Sequence, residues 1–401
     1  MLLFDFIFII DNMFKSGSKK FKKHFSNHKK RYLIILIVMI AIILIGGGTV
    51  TGYFVFKKNQ KPPQVQEQNQ KNIYAEFLSE IYDTIKENYW NKIPDEELAN
   101  LFKLGAEKLT QAPQNLDSAD KNGVNQMVIN IMDKLEETKR KEFAPQLAHL
   151  VLVNLKPFGR SALYVKKDEE TLKDKVENVN PETGKIESTV LGEIIRPNIL
   201  SLNISRMSPT TVQDLKTETE KFDNTEELNT LILDLRGNIG GSLDILQYLL
   251  GPFIGPNRYA FELFQQGNYD PFKTKLGWMP SMVRYKKVVI LADNNTQSSA
   301  EVMLAALKEY NVGVVVGTKT KGWGTIEKVY ELENQIDPNE KYSVFLVNHL
   351  TLRDDNQPIE EAGVEPTIDI NDPKWKNKLN EYFNDNELIK AVEETWNKKR
   401  P

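Results

Sequence analysis

The 401-residue chain contains no cysteine. That excludes disulfides, zinc–thiolate sites, iron–sulfur clusters and a thiol nucleophile. Histidine is scarce: His24, His28, His149 and His349 are all there is, too few for a histidine-rich metal site. No metal or cofactor is expected. Nor is there a basic surplus, because 52 basic and 55 acidic side chains leave a net −3, and a nucleic-acid partner is not expected either. What is present, 40 % apolar and 27 % charged residues over more than one domain's length, is the composition of a globular protein.

The charge is unevenly placed. Residues 1–31 carry eight basic side chains against Asp5 and Asp11, a net +6, so an overall −3 leaves −9 for the rest. Tyr32 to Phe56 then contains no charged residue, and its first half reads LIILIVMIAIILI. Twenty-five residues rise about 37 Å as a helix, enough to cross a hydrocarbon core of ~30 Å. The basic flank predicts a cytoplasmic N-terminus and a chain that continues outside the cytoplasm. A cleaved signal peptide competes, since Leu33–Ile45 would suit its apolar centre, but no A-x-A site follows. The expected organisation is a basic cytoplasmic segment (1–31), a transmembrane helix (32–56) with the lipid bilayer as partner, and a polar tether (57–72) holding Pro62-Pro63. The opening Leu2–Ile10 has no place in it; a start at Met13 would leave it out.

Phe77, Ile81, Ile85 and Tyr89 recur every four residues, predicting an amphipathic helix that ends before Pro94. Asp95-Glu-Glu-Leu98 opens a second, and the two make an N-terminal helical region over 73–111. Residues 112–190 stay unassigned beyond a helix near Asn125–Lys139 and a loop around Pro181–Gly184. From 191 to 401, strands alternate with helices. The strands are Asn198–Ile204, Leu231–Leu235, Val288–Ala292 and Gly313–Gly317; the helices are Thr211–Phe222, Leu243–Leu250 and Ser298–Tyr310. This pattern predicts an α/β fold, a strand–helix spiral on a mostly parallel sheet, closed by a last helix over Asn386–Trp396.

Sites in such sheets lie at the carboxyl ends of strands. One end runs Asp234-Leu-Arg-Gly-Asn-Ile-Gly-Gly241, whose glycines either form a tight turn or let backbone N–H groups converge on an oxyanion. Another runs into Gln297-Ser-Ser-Ala-Glu301, where Ser298 either caps the next helix with Glu301 or acts as a nucleophile at its start. Locally, the turn and the cap are the simpler readings.

Together with Gly317-Thr-Lys-Thr-Lys-Gly-Trp-Gly-Thr-Ile-Glu327 and Ile359-Glu-Glu-Ala-Gly-Val-Glu-Pro366, these motifs resemble, in order and spacing, the carboxyl-terminal processing peptidases, or tail-specific proteases. The resemblance covers about 73–110 and 192–372. It implies a serine endopeptidase acting on polypeptides, with a lysine as general base. It carries the nucleophile onto Ser298 and the oxyanion donors onto Gly240 or Gly241 and Ser299. An accessory glutamine of the family falls on Glu327. The chain departs from the pattern at the base: the family's lysine falls on Trp323, and the preceding phenylalanine on Lys321. Lys321 is therefore the candidate base, two positions from the usual one. Residues 112–190 show no glycine-rich carboxylate-binding loop, so no PDZ domain is expected. His349 falls where the motif gives no catalytic role and is read as structural. A membrane-anchored serine endopeptidase of Ser–Lys type is the leading expectation. A pseudoprotease that binds polypeptides without turnover is the alternative, and a small-molecule hydrolase of similar topology has no specific support.

Overall fold

The computed structural model describes residues 65–225, 227–353 and 355–398. The chain divides into two units, 1–69 and 70–401; of the first, only 65–69 fall among the described residues, so the fold below is that of the second. The expected basic segment, transmembrane helix and first part of the tether lie outside the described residues. Among the described residues no helix is long and apolar enough to cross a membrane. The tether expected over 57–72 is not all tether, because helix α1 (Val65–Asn88) already starts at Val65.

The central strands of the site sheet, β3 (Ile199–Ile204), β4 (Thr230–Asp234), β7 (Lys287–Ala292) and β8 (Val314–Gly317), are buried on both faces. They run parallel to one another and to β11 (Ile368–Asp369), and β2 (Val190–Arg196) closes one edge antiparallel to β3. Successive side chains of a strand point to opposite faces. Leu231 and Leu233 accordingly join the core on one side and Ile232 the core on the other; Val288 and Ile290 divide from Val289 and Leu291 in the same way. The first core is completed by α6 (Thr211–Glu220), the short α7 (Leu246–Leu249) and α8 (Gly251–Ile254), and α9 (Ser299–Glu309). The second is closed by α10 (Trp375–Phe383) and α11 (Asn386–Asn397).

A mostly parallel sheet describes only this half of the architecture. A second sheet, entirely antiparallel, orders β1 (Ala162–Val165), β10 (Tyr342–Leu352), β5 (Tyr259–Gln265) and β6 (Asn268–Lys273), with β9 (Thr325–Glu331) also on β10. The fold is thus α/β with mixed sheets. Strands β1, β5, β6 and β9 escape a sequence reading because they are half-exposed and their apolar residues are interrupted, as in Tyr-Ala-Phe-Glu-Leu-Phe-Gln265, whereas β10 is mostly buried and reads as a strand over Val344–Leu352. Helices α1, α2 (Asp95–Thr110), α3 (Lys121–Met132) and α4 (Glu137–Val153) form a third core, which also takes in Val344, Leu346 and Val347 of β10. Residues 112–190 therefore hold two helices of this core, then β1 and the polar helix α5 (Lys166–Glu177).

The Asp-Leu-Arg segment has a structural task. Arg236 donates to both carboxylate oxygens of Asp234 (2.8 and 2.7 Å) and to the carbonyls of Thr395 and Trp396 (2.8 and 2.7 Å), and its guanidinium lies 4.9 Å from the Trp396 ring centre. Both partners are almost fully buried, so this pair ties α11 to the site sheet. Arg236→Ala would leave a buried carboxylate without its partner, and a loss of about 3–5 kcal/mol is expected. A urea titration checks this; a change below about 1 kcal/mol would show that the pair behaves like an exposed one.

Candidate active site

Ser298 precedes α9 with φ 58° and ψ −132°, a conformation side chains avoid. It is held there by Glu301, fully buried, whose carboxylate accepts the Ser298 N–H at 2.9 Å. The same carboxylate accepts the Gly322 N–H (2.7 Å), the Trp323 N–H (2.8 Å) and the Thr320 hydroxyl (2.5 Å). Burial raises the Glu301 pKa, and these donors pull it back. Glu301 is thus more than a cap: it joins the serine turn to the 320–323 loop. Glu360 secures that loop from the far side by accepting the Gly324 N–H at 2.6 Å.

The glycine turn lies directly against the serine. A Cβ at Gly240 would sit 2.7 Å from Ser298 Cβ and 3.1 Å from its hydroxyl oxygen, so only glycine fits at that position. The two turns are also stitched together, by the Gln297 N–H to the Asn238 carbonyl (2.9 Å) and the Ser299 hydroxyl to the Gly241 carbonyl (3.4 Å). The candidate oxyanion donors differ in availability. The Gly240 N–H is taken by Asn238 Oδ1 at 2.8 Å. Among the described residues no partner occupies the N–H of Gly241 or of Ser299. Oxyanion stabilisation requires backbone donors that are unoccupied, as these two are.

Ser298 and Gly241 open into a cleft of about 370 Å³ shared with Trp323 and Glu327. Its opposite wall comes from the unassigned region: Arg160, Tyr164 of β1, and Leu172 and Val176 of α5. The Arg160 guanidinium lies 3.4 Å from the Trp323 ring centre and pairs with Glu360 at 3.0 Å, so the indole is clamped in place. The Trp323 indole N–H donates to Glu327 Oε1 at 3.2 Å, and the Thr325 hydroxyl donates to the same oxygen at 2.5 Å. Burial pushes the Glu327 carboxyl up to about 7, against the opposing pull of these donors and of Arg160.

The residues singled out in the sequence are not all brought together. Ser298, Gly240, Gly241, Ser299 and Glu327 gather at the cleft or in the turns that form it. The Lys321 side chain is exposed and is not part of the cleft lining. Lys319 is exposed and paired with Glu365 at 3.1 Å. His349 sits on β10 at a bulge, buried, with its pKa pushed down by burial, away from the cleft. Arg160 and Arg206 are cleft residues that no sequence pattern marks.

An α/β core that presents a serine and free backbone donors at the carboxyl edge of a parallel sheet has the layout of a candidate serine-hydrolase site. More particularly, residues 198–370 match the family model of peptidase family S41. The carboxy-terminal processing protease CtpA of Bacillus subtilis is 27 % identical over 190 residues, 47 % of this chain and 38 % of its own length. A probable CtpA-like serine protease of Staphylococcus epidermidis is 27 % identical over 180 residues, 45 % of this chain and 35 % of its own. The chain therefore spans little more than a third of the length of these curated relatives. The structure of a lipoprotein from Streptococcus agalactiae aligns over 81 % of this chain and 98 % of its own, at 14 % identity and a TM-score of 0.49.

Proposed function

We propose that this chain is a membrane-anchored serine endopeptidase that cleaves polypeptides outside the cytoplasm. The observation that carries the reading is the placement of Ser298 against the glycine turn, with two unoccupied N–H donors beside it. In this reaction Ser298 Oγ attacks the scissile carbonyl carbon as its proton passes to a base. The N–H groups of Gly241 and Ser299 hold the oxyanion, and the base returns the proton to the leaving amine. Water then hydrolyses the acyl-enzyme with the same base. Glu327, which lines the same cleft as Ser298 and whose carboxyl burial pushes up to about 7, is the group we assign to that role. Lys321 would have to fold inward from the surface.

A fluorophosphonate probe tests the reading: the full-length protein should be labelled on Ser298, as located by mass spectrometry. Absence of labelling would favour the second reading, a pseudoprotease, for which Trp323 filling the usual lysine slot speaks. Lys321→Ala separates the bases. Hydrolysis within twofold of the parent is expected, and abolition would make Lys321 the base. The anchor rests on the +6 flank before an uncharged 25-residue span. Protease shaving of intact cells should release a fragment beginning near 57–72; its complete protection would overturn the topology.

A further inference from the structure

We propose that Arg206 binds a carboxylate of the polypeptide substrate beside the scissile bond. The inference rests on the peptidase reading above and names the substrate chemistry its cleft selects. Arg206 follows β3 where the chain is pinned to the glycine turn: the Met207 N–H donates to the Gly240 carbonyl (3.0 Å) and the Ser242 N–H to the Met207 carbonyl (2.7 Å). Arg206 lines the same cleft as Gly241 and Ser298.

Arg206 differs from the other charges around it. Arg160 is already engaged, by Glu360 and the Trp323 ring. Lys175 is exposed at the rim. Arg206 is half-buried, and among the described residues its guanidinium has neither an ion-pair nor a hydrogen-bond partner. Burial pushes its pKa down, as it must for a cation losing water without a counter-charge. The one carboxyl lining the cleft, Glu327, is drawn toward its neutral form and is already bonded to Thr325 and Trp323. Apolar neighbours Leu172, Val176, Ile239 and Phe345 line the same space. A neutral peptide settling there would dry the guanidinium and leave it unpaired, whereas a carboxylate meets its planar fork with two parallel hydrogen bonds. That carboxylate is either the substrate's own C-terminus or an Asp or Glu side chain.

The test is fluorescence anisotropy on the full-length Ser298→Ala protein with four dansylated heptapeptides of one Ala–Leu sequence. One ends in a free acid and one in an amide; two more amides carry a central Asp or Asn. Binding about tenfold tighter is expected for an acid over its neutral counterpart, the effect of one charge-assisted pair. Preference for the free acid alone assigns the C-terminus, and preference for Asp over Asn alone assigns a side chain. Arg206→Gln should erase the preference and Arg206→Lys keep part of it. Equal affinities for all four peptides, no binding, or a preference that survives Arg206→Gln would overturn the proposal. Fluorophosphonate labelling is read in parallel on the protein with Ser298 intact. Failure to label while the preference persists would sink the peptidase reading and leave the carboxylate site standing.

Discussion

Ser298→Gly should yield a protein that is inactive yet more stable than its Ser298→Ala counterpart. Both changes remove the hydroxyl, and loss of a nucleophile lowers turnover by at least about 10³-fold. They differ in the backbone. At φ 58° and ψ −132° a Cβ is strained, a cost of order 1–3 kcal/mol that glycine does not carry. Glycine gives back about 0.5–1 kcal/mol through its freer unfolded chain. The net gain over alanine is about 1 kcal/mol, or ~2–4 °C in Tm for a domain of this size. Glu301 should still hold the turn in both variants, because it grips the backbone N–H rather than the side chain. A glycine variant less stable than the alanine one would mean that no strain is held at Ser298, and would remove the structural sign of a working nucleophile.

Strain of this kind is visible only in the structure, and it marks the limit of what the sequence could disclose. The parallel strands were legible because a strand covered on both faces is an unbroken apolar run, as in Val288–Ala292. Helix α1 was legible by its four-residue period and α2 by its acidic start, Asp95-Glu-Glu-Leu98. Helix α4 was not, since Pro145 lies inside it and suggests a break that the packed fold does not make. The segment that became α5 reads Lys-Lys-Asp-Glu-Glu-Thr-Leu-Lys-Asp-Lys-Val-Glu177 and buries no residue fully. Nothing distinguishes such a stretch from a solvated linker until the fold sets Leu172 and Val176 against the cleft.

The site divides in the same way. Local sequence favoured a plain turn and a helix cap; only the order and spacing of the four motifs together suggested the glycine turn and the serine as a site. The capping reading of Ser298 and Glu301 was half the answer: Glu301 does accept the Ser298 N–H, but three further donors from the 320–323 loop share its carboxylate. Arg160 and Arg206 could not be read from the sequence, since each enters the cleft from a segment distant in the chain. The departure at 321 and 323 was visible, but the placement of the two side chains needed coordinates. The Trp323 indole donates its N–H to Glu327, while the Lys321 side chain lies at the surface.

Glu327→Gln should make the protein more stable at pH 8 while costing it hydrolysis. Burial raises this carboxyl from 4.5 to about 7 in the folded chain, so folding favours its protonated form. That contribution is complete below about pH 4.5 and is lost as the pH rises through 7, beyond which an ionised Glu327 opposes folding by up to about 3 kcal/mol. A neutral glutamine removes the opposition. The variant's advantage in Tm should therefore be largest at pH 8, shrink through pH 7 and vanish near pH 4. Catalysis runs the other way, because a base must be ionised to accept the serine proton. The parent's kcat/KM should rise with pH and reach half its maximum near 7, and the variant should lose about 10²–10⁴-fold together with that inflection. If glutamine brings no stability at pH 8, the hydrogen bonds from Thr325 and Trp323 already compensate the charge, and the raised pKa is wrong. If instead the variant hydrolyses at the parent's rate with an unchanged pH profile, the base is elsewhere, and Lys321 becomes the group to test.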